Sequence, residues 1–489
     1  MAETIVHLEK RECYSYPKKE TFYHPAVCYP EYPFGSEAIS ATQNEVYDMV
    51  RASLIGLGLD KEHYETPQWN PFGDFIKPGD KVVLKPNWVR QCVNNVQWDC
   101  TVTNPAVVRA AIDYCVIAKA GEIIVGDAPI QGMTIELVWE QGGYLEMQKF
   151  YSDNGVRIEI VDFRDLIVRT KNGLIIPYDD PRGKKAEDLV NLDFGSKSNH
   201  EDIELKKKYA TCGYCHDKIN ENHKLGHHNY ILTRHALEAD VIINLPKPKT
   251  HRFAGITGAQ KNFIGVCADK ESLPHFTVGS PCVGGDETNS TSWLSKLITF
   301  TYDKYLIYCK QKKFFIAQGY RIAHFMLNRL NRTYFFTKGA WYGNDTIWKT
   351  ILDVNKAVLY GDKNGILDFS CQKRKVFTIG DMIIAGQKAG PLEPDPKPLG
   401  IILASKNCAV FDSVFCKITG FDPNLLPTIM NCQKDSLLFD GVMDEVLLCS
   451  NLAEVNGKKI AEIEFPCEWS FEPHPYWTDV LSKKENEGK

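Results

Sequence analysis

The stretch IKPGDKVVLKPNWV, residues 76–89, has the pattern of a turn followed by a buried strand. The next segment, TNPAVVRAAIDYCVIAKAG at 103–121, has an N-cap Thr or Asn, Pro at the first helical position and a closing Gly. EIIVGDAP at 122–129 is a second short apolar strand. This order is a βαβ unit, which predicts a parallel sheet with helices on its faces.

Further strand patterns extend this α/β reading along the chain. GVRIEIVDF at 155–163 and ADVIINL at 239–245 resemble strands, and residues 374–423 repeat a strand, loop, strand and helix pattern. We therefore predict an α/β fold with two α/β lobes, largely parallel sheets around a central cleft, and a helical insertion. The predicted units are a Tyr- and Pro-rich extension with one helix (1–75), a first lobe (76–290) with a Cys/His-containing insertion near 185–229, a basic amphipathic helical insertion (291–344), a second lobe (345–475) and a charged tail (476–489).

Composition narrows the class of protein. The 489 residues carry 57 basic and 62 acidic side chains, a balance that does not favour nucleic-acid binding. The N-terminus has charges where a signal peptide needs an apolar core, and no apolar run is long enough to span a membrane. The sixteen cysteines are scattered, so we interpret them as reduced thiols. These features predict a cytoplasmic protein and leave its oligomeric state open.

Polar residues follow the predicted strands. Ligands of open parallel sheets bind beyond the carboxyl ends of the strands, so residues that end or follow strands are candidates for a site. Lysine, asparagine and aspartate at such positions are poor core residues. The candidates found in this way are Lys85, Asn87, Asp127, Lys247, Lys249, His251 and Asp381.

The segment LPKPKTHRFAGITGAQKNFIGV, residues 245–266, gathers positive charge on a glycine-rich backbone. Lys261 and Gly258 lie within it, and glycine permits close backbone approach to a ligand. Two interpretations remain open from these residues alone. The lysines either form a cradle for an anion or face water as a solvated basic loop.

Several blocks of this sequence resemble the family known as domain of unknown function 362. They include VVLKPNWV, GDAP, ADVIINLPKPKTHRFAGITGAQKNFIGV, TIGDMIIAGQKAGP and ILASKNCAVFDSVFCKITGFDP, in family order, over about residues 76–135 and 230–425. Some family members carry a ferredoxin module with cysteine quartets. This chain has no C-x-x-C-x-x-C run, so the resemblance does not extend to that module.

The same blocks are similar, more distantly, to the nickel-pincer lactate racemase superfamily. In those enzymes an equivalent histidine and lysine border a cleft between two α/β domains. The resemblance implies that His251 and Lys261 line such a cleft here. The histidine-rich cofactor segment of the racemase is not recognisable in this chain, and fold likeness does not transfer chemistry.

We therefore expect an enzyme that binds a small anionic metabolite or headgroup and moves a proton or hydride at carbon. His251, Lys261 and Asp127 are the predicted catalytic residues, because histidine titrates nearest neutrality and Asp127 can orient a lysine. The predicted substrate-binding residues are Lys85, Asn87, Lys247, Lys249, Gly258, Asp381 and Asp412. The alternative is a non-catalytic protein that binds an anion, a metal or an iron–sulfur partner.

The motif CGYCH at residues 212–216 raises the question of a metal. Its thiols and the downstream histidines are the ligand types of a divalent metal such as zinc. The candidate ligands are Cys212, Cys215, His216 and His223. The competing interpretation is a loop feature or a redox-labile thiol pair in a polar insertion.

Residues 293–338 combine a basic face with Phe, Tyr, Leu and Ile at helical spacing. They carry nine Lys or Arg residues and one Asp. Such a composition suits a helix lying on an anionic membrane surface, and equally a helical hairpin that caps the cleft. The sequence leaves both alternatives open.

Overall fold

A computed structural model describes residues 4–92, 94–179, 186–202, 208–211, 213–214, 216–330 and 338–482. Within them the α-helices are α1 (Glu45–Gly56), α2 (Asn95–Thr101), α3 (Pro105–Ile117), α4 (Ile135–Gly142), α5 (Tyr144–Asp153), α6 (Asp217–Asn222), α7 (Arg234–Glu238), α8 (Ala259–Asn262), α9 (Trp293–Lys310), α10 (Phe314–Leu330), α11 (Ile347–Tyr360), α12 (Cys408–Ile418), α13 (Pro427–Cys432) and α14 (Thr478–Leu481).

The strands fall into one large sheet and three small ones. They are β1 (Ile5–Lys10), β2 (Lys81–Pro86), β3 (Glu122–Asp127), β4 (Ile158–Asp162), β5 (Leu166–Lys171), β6 (Leu174–Asp179), β7 (Leu189–Asp193), β8 (Tyr209–Ala210), β9 (His223–Lys224), β10 (His227–Thr233), β11 (Val241–Leu245), β12 (Lys249–His251), β13 (Gly255–Thr257), β14 (Phe276–Thr277), β15 (Lys375–Gln387), β16 (Asp395–Ser405), β17 (Leu447–Ser450) and β18 (Lys458–Lys459).

The predicted α/β class is confirmed, and the strands of both predicted lobes join one sheet. Its order is β18-β17-β1-β16-β15-β11-β2-β3-β4, with β12 and β13 attached at β15. Five consecutive strands of this row, β15, β11, β2, β3 and β4, are parallel to one another. Strand β16 pairs antiparallel with both β15 and β1.

Side chains alternate across the sheet and feed cores on both faces. Val82 and Leu84 of β2 lie in the core with α1 and α3, whereas Val83 between them lies in the core with α11. The local sequence explains α3, since Asn104 caps it by accepting from the backbone N–H of Ala106, and Pro105 opens it. The βαβ unit predicted from residues 76–129 is therefore present.

The two chain ends depart from the predicted boundaries. The extension at 1–75 supplies a strand as well as helix α1, because β1 sits between β16 and β17 in the central sheet. The segment predicted as a tail begins with packed residues. Trp477 is buried, and its indole N–H donates to the carbonyl oxygen of Arg252 at 3.0 Å.

The helical insertion predicted at 291–344 contains α9 and α10, which contact each other and the strand β6. Along the described part of the chain, no helix combines the length and the apolar character that crossing a membrane requires.

Candidate active site

A pocket of about 160 Å³ opens beyond the carboxyl ends of β2 and β3. Strand β2 has β3 on one side and β11 on the other, so the strand order reverses here. Such a reversal leaves a crevice in which open α/β sheets bind ligands. The chain that follows β11 closes the crevice. The polar lining includes Asn87, Asp127, His251, Thr257, Lys261 and His275.

A buried ion pair forms the floor of this pocket. Lys85 Nζ lies 2.7 Å from Asp127 Oδ1, and Asp127 Oδ2 accepts from the backbone N–H of Trp88 at 2.8 Å. Both carboxylate oxygens are therefore engaged. A Cβ at Gly265 would lie 1.9 Å from Asp127 Oδ1, so this position requires glycine. Asp127 thus holds Lys85 at the floor of the pocket.

An amide network joins the pair to the rest of the site. Asn262 Oδ1 accepts from Asn87 Nδ2 at 2.8 Å, and Asn262 Nδ2 donates to the carbonyl oxygen of Lys85 at 2.9 Å. The same Nδ2 donates to Asn244 Oδ1 at 2.8 Å. Lys249 is buried behind Asn87 and donates to Asn87 Oδ1 at 2.7 Å. Burial, and then the charge of Lys247, lower the pKa of Lys249 to about 7.

Lys261 is the pocket cation without a counterion. Among the described residues its ammonium has neither a carboxylate partner nor a hydrogen-bond acceptor. Burial, and then the neighbouring Lys270, lower the pKa of Lys261 to about 7. Lys270 also lines the pocket and donates to the carbonyl oxygen of Ile264 at 2.6 Å. Burial lowers the pKa of Lys270 to about 8.

Two histidines face the pocket with opposite tautomers. His251 Nδ1 accepts from the backbone N–H groups of Phe253 and Ala254 at 3.1 and 3.2 Å, which assigns its own proton to Nε2. His275 Nδ1 lies 2.8 Å from the carbonyl oxygen of Leu273, which assigns the proton to Nδ1. Burial lowers the pKa of His251 well below its usual range and that of His275 to about 3, so both rings are neutral.

The Thr257 hydroxyl is a further polar group aimed at this space. The residue is buried, lines the pocket, and its Oγ1 has no hydrogen-bond partner in the part of the chain that the structure describes. A buried hydroxyl without a partner costs free energy unless a ligand or water satisfies it.

Two of the predicted substrate-binding residues lie elsewhere. Lys247 Nζ is 2.9 Å from Asp381 Oδ2, and neither residue is exposed or lines the pocket. Tyr16 completes this group, since its hydroxyl donates to Asp381 Oδ1 at 2.6 Å and accepts from Lys247. The carboxylate also accepts from the backbone N–H of Asn104. The arrangement is a closed, buried ion-pair cluster.

Gly258 and Asp412 lie beside Lys261 but outside the main pocket. They line a cavity of about 10 Å³ that Lys261 also touches. Asp412 accepts from the backbone N–H groups of Ala259 and Gln260 at 2.6 and 3.1 Å and so fixes the first turn of α8. Burial raises the pKa of Asp412 to about 7. A Cβ at Gly258 would lie 2.0 Å from Asp412 Oδ1.

The predicted metal ligands are only partly described. Cys212 and Cys215 lie outside the described residues. His216 Nε2 is 3.2 Å from the carbonyl oxygen of Thr211, whereas His223 packs against the rings of His200 and His228. Over the described ranges, no three His, Cys, Asp or Glu side chains are grouped so that they could hold a metal ion. The insertion reaches the pocket through Tyr214, which lines it.

The polar pocket residues that the sequence did not predict include Thr257, Asn262, Lys270 and His275. Thr257 and Asn262 lie inside the glycine-rich segment that was singled out, so their position was a usable signal. Lys270 and His275 follow that segment in a loop without a recognisable pattern. Of the residues that were predicted, the structure brings Asn87, Asp127, His251 and Lys261 to the pocket, with Lys85 and Lys249 directly behind them.

One curated protein is 29% identical to this chain over 198 residues, the thylakoid-associated protein sll1697 of Synechocystis. The match covers 40% of this chain and 42% of that protein. Among solved structures, a Thermotoga maritima protein matches with a TM-score of 0.30 and 13% identity, over 71% of this chain and 53% of that one. The lactate racemase apoprotein of Thermoanaerobacterium thermosaccharolyticum matches with a TM-score of 0.29 and 10% identity, over 74% and 54%.

The chain thus spans about half of the length of the proteins that it resembles. The two TM-scores are too low to transfer a reaction or a residue role. The family match is broader, because the model of one family covers residues 82–173 and 197–417 and includes every segment that lines the pocket between Asn87 and Leu392. The chain belongs to the family described as domain of unknown function DUF362.

Proposed function

We propose that the pocket binds a small molecule carrying a carboxylate or phosphate group and that the protein is an enzyme acting on it. The observation that carries this proposal is Lys261, a pocket cation with no counterion among the described residues. Lys270 adds a second cation, and Asp127, the acidic residue among the described lining, is already paired with Lys85. A bound anion would neutralise this excess of positive charge.

The size of the pocket limits the ligand. A volume of about 160 Å³ is close to that of a cavity that holds a benzene-sized molecule. A metabolite of a few carbon atoms, or the headgroup of a larger molecule, fits this space. The Thr257 hydroxyl and the Asn87 amide offer neutral polar contacts that would orient it.

The chemistry that this arrangement supports best is proton transfer at a carbon atom next to a carboxylate. A lysine whose pKa is about 7 populates both protonation states near neutral pH. Lys261 can therefore attract the anion as a cation and, in the fraction of molecules in which it is neutral, accept a proton from such a carbon. His251 is a neutral imidazole whose proton is on Nε2, and it can donate a hydrogen bond to the oxygen on which negative charge develops. In this scheme Asp127 holds Lys85 and does not react.

Deuterium exchange tests the proposal. The full chain is incubated in D₂O with a panel of small 2-hydroxy carboxylates, and NMR follows loss of the proton signal at the carbon that bears the hydroxyl, beside the carboxylate. Binding is measured in parallel by calorimetric titration. We expect Lys261→Met to abolish both binding and exchange, and the exposed control Lys77→Met to leave both unchanged.

The outcomes separate the two parts of the proposal. Binding that survives Lys261→Met would refute the anion site. Binding of a carboxylate without exchange, across the whole panel, would refute proton transfer and leave the non-catalytic alternative, an anion-binding protein.

A further inference from the structure

The helices α9 and α10 expose an unusual amount of apolar surface. Nine of the 23 large hydrophobic residues that are exposed in the described structure lie on these two helices. Phe315 is 94% exposed and Trp293 is 74% exposed. The full set is Trp293, Leu297, Phe300, Phe315, Ile316, Ile322, Phe325, Met326 and Leu330. Exposed apolar side chains that cluster in this way indicate an interaction surface, whereas single exposed apolar residues are common on any protein.

The opposite side of the hairpin is anchored to the body. Helix α9 buries residues that include Ile298, Tyr305 and Leu306, whereas Ala317 is the buried residue of α10. The hydroxyl of Tyr305 donates to the carbonyl oxygen of Gly173 at 3.1 Å, and Arg321 Nε donates to the same oxygen at 3.1 Å. The hairpin is thus fixed against the β5–β6 turn, with α10 as its outer layer.

The exposed apolar residues of α10 share one face of that helix. Phe315, Ile322, Met326 and Leu330 recur at intervals of four or seven, which places them on one face of α10. The helices run antiparallel, since the ring of Phe300 lies 6.2 Å from that of Tyr320 and His324 contacts the carbonyl oxygen of Ile298. Leu297 and Phe300 therefore lie next to the middle and the second half of α10.

Positive charge surrounds this apolar face. Between Trp293 and Leu330 the sequence has seven basic residues and one acidic residue, in a chain whose net charge is −5. Cations lie directly over exposed rings. Lys304 Nζ is 5.5 Å from the centre of the Phe300 ring, and the Arg329 guanidinium is 4.8 Å from that of Phe325. The basic residues are Lys296, Lys304, Lys310, Lys312, Lys313, Arg321 and Arg329.

We propose that α9 and α10 dock on an anionic lipid bilayer, with both helices in the plane of the surface. Apolar side chains enter the boundary between headgroups and acyl chains, and the lysines and Arg329 meet the lipid phosphates, whereas Arg321 is held at the β5–β6 turn. A second copy of the chain fits this surface less well, because a two-fold contact would press one basic face against another. The pocket lining includes no residue of α9 or α10 within their described residues, so the docking does not depend on the proposed reaction.

Vesicle sedimentation with the full chain tests the docking. Vesicles of phosphatidylcholine alone are compared with vesicles that contain phosphatidylglycerol. We expect binding to the anionic vesicles, weaker binding at high salt, and a loss of about tenfold or more in affinity for Phe325→Glu/Met326→Glu and for Lys312→Glu/Lys313→Glu. The matched control is Val283→Glu/Val442→Glu, two residues with similar exposure outside the hairpin. We expect this control to bind like the wild type.

Fluorescence and light scattering complete the test. We expect vesicles to shift the wild-type tryptophan emission to the blue, and Trp293→Phe to lose most of that shift while sedimenting nearly normally. Absence of binding to anionic vesicles, or an equal loss in the control variant, would overturn the proposal. So would a wild-type dimer in light scattering that Phe325→Glu/Met326→Glu converts to a monomer, because the apolar face would then be a contact between copies.

Discussion

Lys85 Nζ and Asp127 Oδ1 lie 2.7 Å apart beneath the pocket, and both side chains are almost completely buried. The pair joins the carboxyl ends of the neighbouring parallel strands β2 and β3. Breaking a buried pair by displacing one partner is costly, because it leaves an uncompensated charge in the interior. The pair therefore stabilises the floor of the site and holds the Asp127 carboxylate in a fixed position.

The glycine above this pair provides the first prediction. A Cβ at Gly265 would lie 1.9 Å from Asp127 Oδ1 and 2.5 Å from Lys85 Nζ. We expect Gly265→Ala to lower the free energy of unfolding by about 3 kcal/mol, as urea denaturation would measure. Gly319→Ala is the control, because nothing lies within 4 Å of its Cβ position in helix α10. The free energy of unfolding of that control should rise by about 0.5–1 kcal/mol. An equal loss of stability in Gly265→Ala and Gly319→Ala would contradict the interpretation.

The second prediction concerns the pH dependence of stability. The pKa of Lys261 is about 7 in the folded chain and about 10.4 when unfolded. Between these values the unfolded chain binds more protons, so this residue makes stability rise with pH. Lys261 therefore lowers the free energy of unfolding by its full amount below pH 7. This destabilisation disappears as the pH rises through the pKa of the unfolded chain.

We therefore expect the free energy of unfolding of Lys261→Met to increase less steeply with pH than that of the wild type. From pH 7 to pH 9 the free energy of unfolding of the wild type should increase by about 2 kcal/mol more than that of the variant. Urea denaturation at both pH values measures the difference, and Lys77→Met serves as the control because its side chain is exposed. Parallel curves for wild type and Lys261→Met would show that Lys261 titrates normally.

The sequence predicted the elements whose signals are local. Asn104 and Pro105 mark the start of α3, and apolar runs mark β2, β3 and β11. Strand β1 was missed, because its place in the sheet depends on distant partners such as Leu403 opposite Leu8. The joining of both predicted lobes into one sheet has the same origin, since strand pairing is not visible in the periodicity of either segment.

In the site, too, contacts between side chains of distant segments could not be predicted from the sequence. The sequence pointed to Lys247, Lys249, His251 and Lys261 alike, because all lie in the basic, glycine-rich segment 245–266. Only the folded chain reveals that Asp381 and Tyr16, from remote segments, capture Lys247. His275 was missed because a single histidine in a loop has no spacing to mark it.

The third prediction tests the role of Lys247. Lys247→Met would leave the Asp381 carboxylate buried without its cation, at a cost of about 3–5 kcal/mol in unfolding free energy. The double variant Lys247→Met/Asp381→Asn removes both charges and should recover most of that loss. We expect this double variant to bind anions in the pocket like the wild type, as calorimetric titration would show. If Lys247→Met kept the stability of the wild type but lost anion binding, Lys247 would be a ligand-binding residue.

The fourth prediction concerns the protonation state of His251. Its Nδ1 accepts two backbone N–H groups, and burial, followed by the charge of Lys261, lowers the pKa of the ring well below its usual range. The ring should therefore remain neutral, with its proton on Nε2, from pH 8 down to pH 5. Nitrogen chemical shifts of ¹⁵N-histidine-labelled protein report the tautomer, and His251→Gln identifies the signals. An ordinary histidine titrates near pH 6.5, so a midpoint there for His251 would contradict its assigned role as a neutral hydrogen-bond donor. His227, which is half-exposed and lies 2.7 Å from Asp193 Oδ2, supplies a surface histidine for comparison in the same spectra.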